Sequence, residues 1–368
     1  MDRRELLKTL GAGAALSLGL GACSRSEGVA AVVNAGPSSS RALKWKMVTT
    51  WPSSFPGLGT GAAHLAALIT QLSGGRIEVK VFGAGELVPA LEVFDAVASG
   101  TAELGHGAAY YWKGKSEAAQ FFGAVPFGMN VQEVNGWLYS GGGIELWQEL
   151  YAPFGLRPEP AGNTGVQLGG WFRKEIRSVA DLKGLKMRIP GLGAEVLKRA
   201  GGTPVNLPGG EIFTALQTGA IDATEWVGPY NDLAFGLHTV AKHCYYPGWH
   251  EPGSVLECLI NQRAYAALPD DLKAIVTNAC RILNNDMLAE YTARNPVALK
   301  NLIEEHGVIF KPFPDDVLAA LKAYSHEVVA ELGAKDALAK RIYDSYTSFA
   351  AQVRAYHDVS ELAYYKVR

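Results

Sequence analysis

One local pattern occurs twice in this chain and restricts the folds open to it. Leu91 to Ser99 (LEVFDAVAS) has the spacing of a short helix, Gly100 suits its left-handed end, and Ala102-Glu103-Leu104 reads as a short strand. Glu211 to Thr218 (EIFTALQT), Gly219 and Ile221-Asp222-Ala223 repeat that order. Aromatic and polar residues follow each strand: Tyr110-Tyr111-Trp112 in the first case and Glu225-Trp226 in the second. Open parallel sheets bind ligands just beyond the carboxyl ends of their strands. Two such units therefore predict two similar α/β lobes that present side chains to a shared cleft.

Neighbouring segments fit this scheme. Leu43 to Thr49 alternates apolar and polar residues, and Arg76 to Phe82 does so again after an apolar helical stretch from His64 to Leu72. Strand, helix, strand is the unit of a parallel sheet. Thr164 to Phe172, Leu185 to Ile189 and Val255 to Ile260 are further strand candidates, with a turn at residues 178–184. Several helices follow, and the last is expected to run from about Pro314 to Tyr365. Val317, Leu318, Leu321, Tyr324, Val328 and Leu332 recur there at helical spacing.

The start of the chain reads as a leader. Arg3-Arg4 precedes an uncharged, apolar run from Thr9 to Ala22 that is too short and too rich in Gly and Ala for a comfortable membrane span. Residues 1–22 are expected to be a signal peptide of the twin-arginine type. Leu20-Gly21-Ala22-Cys23 resembles a lipoprotein processing site that leaves a lipidated Cys23, with plain cleavage as the alternative. The segment 23–41, rich in Ser, Gly and Ala, then serves as a tether. The remaining 346 residues counted from Cys23 suffice for two lobes with real cores. A formal charge of −2 leaves no basic excess for a nucleic acid. No Walker-type loop, HExxH or GxSxG occurs, so the common short catalytic signatures are absent. Cys244, Cys258 and Cys280 have no zinc-ligand spacing; buried thiols are favoured over a Cys244–Cys258 bridge.

Asp181-Leu-Lys-Gly-Leu-Lys-Met-Arg188 resembles the signature strand of the DctP-type substrate-binding proteins of TRAP (tripartite ATP-independent periplasmic) transporters. Residues 162–167 (GNTGVQ), 169–172 (GGWF), 222–230 (DATEWVGPY) and 246–249 (YPGW) resemble the 2-oxo acid, pyruvate-type branch of that family. Residues 82–89 (FGAGELVP) and 141–144 (GGGI) add to the likeness, which covers nearly the whole mature chain. The lipoprotein-like start departs from many relatives, and His250 stands where the family usually carries an aromatic residue.

The resemblance implies a two-lobed periplasmic binding protein fold of α/β class, with strands crossing between lobes and a long C-terminal helix. Lobe 1 is expected at 42–163 plus 254–293, lobe 2 at 164–253 plus 294–322, and the C-terminal helix at 323–368. The implied function is non-enzymatic: a small 2-oxo monocarboxylate such as pyruvate is bound in the inter-lobe cleft with a cation, in the periplasm, and handed to TRAP membrane subunits. Arg188 is implied to grip the substrate carboxylate, since its planar fork matches a carboxylate bidentately. The alternative for Arg188 by itself is a helix cap or a surface ion pair. Gln167, Glu225, the Trp226 backbone carbonyl and Glu251 are implied to form the metal cage. An all-oxygen set suits Na⁺ or Ca²⁺, and the cation offsets two glutamates and an anionic substrate facing one arginine. Gln167, Glu225 and Trp226 count with the substrate contacts as well, beside Tyr110, Tyr111 and Asn163. The tyrosines can equally be core packing, and Asn163 can equally shape a turn. Trp171, Trp226 and Trp249 are expected in the pocket wall. Ala355, Val359, Leu362 and Tyr365 continue an apolar stripe through which some members of the branch pair, so a homodimer is expected. Alternatives are a sensory protein presenting its ligand to a receptor, a binder of 2-hydroxy acids such as lactate, and a hydrolase or lyase using Glu225 as base.

Overall fold

The computed structural model describes residues 42–368; the expected leader, Cys23 and the tether lie outside the described residues. Eleven strands are present among the described residues. They are β1 Leu43–Thr49, β2 Ile77–Phe82, β3 Leu104–Gly107, β4 Leu156–Asn163, β5 Gly170–Phe172, β6 Lys186–Arg188, β7 Thr203–Val205, β8 Ala223–Thr224, β9 His243–Tyr246, β10 Val255–Asn261 and β11 Ile309–Pro312.

They form two sheets, ordered β2-β1-β3-β10-β4 and β11-β9-β5-β8-β6-β7. In the first, β1 runs parallel to β2 and β3, and β10 inserts antiparallel between β3 and β4. In the second, β6 is parallel to β7 and β8, while β5 is antiparallel to β8 and β9. The chain thus leaves the first sheet after β4, builds most of the second, and returns to the first as β10. These are the crossing strands the fold class calls for.

The predicted repeat is real, with shifted strand limits. The first unit is a 3₁₀ turn and helix spanning Ala90–Glu92 and Val93–Ala98, then Gly100 at φ +80°, then β3. The second is the helix Gly209–Thr218, Gly219 at φ +79°, then β8. Both glycines occupy the left-handed region that costs a side chain about 1–2 kcal/mol. Each strand begins later than its sequence pattern indicates, because Ala102 and Ile221 are buried in the turn ahead of it.

Helix Gly59–Leu72 buries Ala62, Leu65, Ala66 and Ile69 along one stripe, as its spacing predicts. The 35-residue helix Asp270–Glu304 packs along β4 and buries Val276, Ala279, Leu283, Met287 and Tyr291. Val276, Leu283 and Met287 each contribute about 1.5–3 kcal/mol when fully removed from water. A long C-terminal helix is present as Ala337–Val359, but the stretch from Pro314 to Tyr365 is not continuous as expected. It consists of Asp315–Gly333, Ala337–Val359 and Glu361–Tyr365. The break has a local cause: the Asp336 side chain accepts from Ala339 N at 2.8 Å and starts a new helix, while Gly333 packs tightly against the Tyr343 ring. The apolar periodicity survives the turn because the two helices pack on each other, so the sequence pattern alone did not mark it. Cys244, Cys258 and Cys280 are all free and buried. No helix among the described residues is long and apolar enough to cross a membrane.

Candidate functional site

The carboxyl ends of β3, β6 and β8 and the two connections beside β4 and β10 converge on one small pocket. Trp51, Leu58, Tyr110, Tyr111, Thr164, Gln167, Arg188, Trp226, Val227 and Leu256 line it. Arg188 is the last residue of β6 and is 1% exposed. Its Nη1 pairs with Glu225 Oε1, Nη2 donates to the Tyr111 hydroxyl at 3.2 Å, and Nε donates to the Leu207 carbonyl at 3.1 Å. The guanidinium also lies over the Trp226 ring, 5.2 Å from its centroid. Burial works against the Arg188 charge, but Glu225 and the two tyrosines outweigh it and raise its pKa further. The group is a permanent cation inside the protein.

Glu225 follows β8 directly, and its backbone N–H donates to the Arg188 carbonyl at 3.3 Å, an extension of the β6–β8 ladder. Its second oxygen lies 3.4 Å from His250 Nε2. Glu251 reaches the site through the turn after β9. Gly248 passes so close to the Gln167 carbonyl that no Cβ fits there, and its N–H donates to that carbonyl at 3.0 Å. The Gln167 N–H in turn donates to the Glu251 carbonyl at 3.1 Å, which ties the two side chains together. Glu251 Oε2 accepts from Gln167 Nε2 at 2.7 Å, from Ser254 Oγ, and from the Tyr110 hydroxyl at 3.5 Å. Burial and the neighbouring Glu225 push the Glu251 acid up to about 7.

Gln167 Oε1 is buried without a hydrogen-bond partner, and Glu225, His250 and Glu251 each offer a donor atom within 4.8 Å of the others. A bare amide oxygen next to two crowded carboxylates fits a hard cation, which takes such oxygens and relieves their mutual repulsion. The Trp226 carbonyl belongs to the same loop. The peptide that carries it has its N–H, that of Val227, directed at Asp232 Oδ1 at 3.4 Å. Asp232 also accepts from Trp171 Nε1 at 2.7 Å, and burial pushes its acid up to about 7.

Tyr110 and Tyr111 sit on a 3₁₀ turn, Ala109–Trp112, that follows β3. Burial raises both phenols, so they act as neutral hydroxyls. The turn is anchored from behind, where Trp112 Nε1 donates to the buried Glu257. Asn163 is fully buried, but its side chain serves the turn: Oδ1 accepts from Gly165 N at 2.9 Å and Nδ2 donates to the Gly253 carbonyl at 3.5 Å. Of the tryptophans expected in the wall, Trp226 lines the cavity; Trp171 packs under it as the partner of Asp232, and Trp249 stacks with Phe127. Several contributors carried no signal in the sequence. Thr164 and Ser254 steady Gln167 at 3.2 Å each, and Trp51, held by His106 Nδ1 at 2.8 Å, closes the apolar side. His250 was visible only as a departure from the family pattern; here its ring is buried against Glu225.

The arrangement pairs one permanent cation with a cluster of oxygen donors around a narrow, partly aromatic pocket. Its chemistry suits a small anion beside a metal ion.

Comparison with known proteins agrees with this geometry. Residues 47–336 match the DctP model, described as bacterial extracellular solute-binding protein, family 7. A monocarboxylate 2-oxoacid-binding periplasmic protein of Nostoc sp. is 44% identical over 364 residues, covering 99% of this chain and 98% of the relative. A TRAP periplasmic solute-binding protein of Pseudoalteromonas atlantica, solved with bound sodium and pyruvate, is 43% identical with TM-score 0.87 and covers 89% of this chain and 100% of its own. A TRAP transporter solute-binding protein of Bordetella bronchiseptica is 39% identical with TM-score 0.86, covering 88% of this chain and 96% of its own. It is a mixed-occupancy dimer with copurified calcium and picolinate in one site and the other site apo.

Proposed function

The chain belongs to the DctP family of TRAP solute-binding proteins, and from that premise we propose that it binds a small 2-oxo monocarboxylate, pyruvate foremost, together with Na⁺ or Ca²⁺. The observation that carries this reading is the buried Arg188 guanidinium facing the unpartnered Gln167 Oε1 across one cavity. Arg188 takes the substrate carboxylate on the edge it now offers to Tyr111. Gln167, Glu225, Glu251 and the Trp226 carbonyl hold the cation, which in turn takes a carboxylate oxygen and the 2-oxo oxygen of the substrate. A plain fatty acid lacks that second oxygen and loses the chelate. Trp51, Leu58, Val227 and Leu256 receive the short alkyl group, and the small cavity limits its length. Tyr110 and Tyr111 close over the ligand, while Asn163 supports from the turn behind.

Family membership gives the chain an extracytoplasmic, non-catalytic role in transport; the membrane subunits of the transporter receive the ligand. The lobes divide at 163/164 and 253/254, so that binding closes residues after β3 onto residues after β6 and β8. Lipidation of Cys23 anchors the protein in the periplasm, which mass spectrometry of the exported protein tests. A homodimer forms through the C-terminal helices, where Tyr356, Val359, Leu362 and Tyr365 are exposed and a Bordetella relative is dimeric. Light scattering that stays monomeric at high protein concentration refutes the pairing. The binding reading is tested by calorimetry with pyruvate on chelator-treated protein, in choline buffer and with Na⁺ or Ca²⁺ restored. Equal affinity in all three conditions overturns the cation role, and no binding in any overturns the substrate.

A further inference from the structure

The proposed cation cage is built of oxygen, yet the structure adds a nitrogen to it. His250 is 2% exposed, and its Nε2 lies 3.4 Å from Glu225 Oε2. That spacing is long for an N–H···O⁻ bond, which prefers about 2.7–2.9 Å. It equals the separation of two adjacent ligands of one ion whose bonds are about 2.2–2.4 Å long. The other ring nitrogen, Nδ1, is buried with no partner. Glu225, His250 and Glu251 bring one donor atom each to within 4.8 Å, and the Gln167 amide, whose Oε1 is unpartnered, bonds Glu251 through Nε2 at 2.7 Å. A phenyl or indole ring at position 250 would offer no ligand atom at all.

Charge points the same way. With both carboxylates ionised, they and an anionic substrate face one guanidinium, an excess of two negative charges among buried groups. Sodium halves that excess and a divalent ion cancels it. A neutral imidazole leaves this balance untouched while adding a donor that calcium values little and first-row transition ions value highly.

We propose that His250 is a nitrogen ligand of the cage, so that this chain takes a first-row divalent cation, Zn²⁺ or more weakly Mn²⁺, with its substrate. The inference rests on the cation reading given above. It makes position 250 the residue that decides which ion accompanies the carboxylate, with the oxygen donors unchanged.

The test uses chelator-treated, full-length mature protein titrated with Ca²⁺, Mn²⁺ and Zn²⁺ in the presence of pyruvate. Wild type should bind Mn²⁺ and Zn²⁺ more tightly than Ca²⁺. His250→Phe should weaken Zn²⁺, and Mn²⁺ less, by at least the roughly 10–100-fold that loss of an outer-shell partner costs, with Ca²⁺ changed by less than about threefold. His250→Gln, which restores an oxygen donor, should keep Ca²⁺ binding and guard against misfolding of the phenylalanine variant. Pulsed electron paramagnetic resonance of bound Mn²⁺ should show coupling to a ring nitrogen in wild type and none in either variant. If Ca²⁺ or Na⁺ supports pyruvate binding but the Mn²⁺ to Ca²⁺ preference is the same in wild type and His250→Phe, the nitrogen ligand is overturned and the cation reading stands. If no cation affects pyruvate binding, both fall.

Discussion

The two helix–glycine–strand units have the same punctuation and opposite products. The first, ending in β3, delivers two neutral hydroxyls, Tyr110 and Tyr111, on a 3₁₀ turn. The second, ending in β8, delivers Glu225 and the Trp226 ring beside Arg188 on β6. Behind the first unit the acid is kept neutral: burial pushes Glu257 up to about 8, and it accepts from Trp112. Around the second unit Arg188 and Glu225 face each other as a buried pair. A shared backbone device can thus serve two tasks, since the strand end fixes where a side chain arrives and the next residues fix its charge. The charged side is expected to bind first and the aromatic side to close and slow release.

The hardest test of this division is Arg188→Ala, expected to cost about 2–5 kcal/mol of pyruvate affinity because a buried carboxylate loses its charged partner. Calorimetry that returns near-wild-type affinity breaks the assignment. Next is Glu225→Gln, which should weaken cation and substrate together by about 5–150-fold, the span of ordinary coupling between two ligands. Joint titrations check it, and loss of only one ligand's affinity would show that the two sites are independent. Tyr111→Phe on the neutral side should cost only about 0.5–1.5 kcal/mol, seen as faster release in stopped-flow measurements. An effect as large as that of Arg188→Ala would erase the contrast between the sides.

The smallest effect on binding is expected from Glu257→Gln, none at all, with its signature in stability. The folded-state pKa of Glu257 is raised from 4.5 to about 8. Its contribution to stability is therefore fully present below pH 4.5 and is lost as pH rises through 8. Wild type should lose melting temperature between pH 6 and pH 8.5 more steeply than Glu257→Gln. Parallel melting curves mean that the acid is not held neutral.

Glu225 and Arg188 were legible because they stand just after one strand and at the end of another, in the specific runs DATEWVGPY and DLKGLKMR. Gln167 and Glu251 were legible only through the family likeness, since nothing in their spacing says that Gly248 draws them together. Asn163 shows the limit from the other side. Its residue type allowed either substrate contact or turn, and only the positions of Gly165 N and Gly253 O give its side chain to the turn.

What the sequence determined by itself is therefore the set of local elements and the chemistry on offer. Alternation makes β1 and β2, glycines at positive φ end the helices ahead of β3 and β8, and no metal-ligand or nucleophile signature competes with the carboxylate and amide groups. Tertiary structure alone decided which of those groups meet. Tyr110 and Glu251 come within 3.5 Å although 141 positions separate them, and the break at Asp336 turns an unbroken periodic stretch into packed helices. The reason is physical: hydrophobic periodicity and backbone sterics act over a few residues. Pairing of buried charges and donors acts through space and exists only after the two sheets have been assembled.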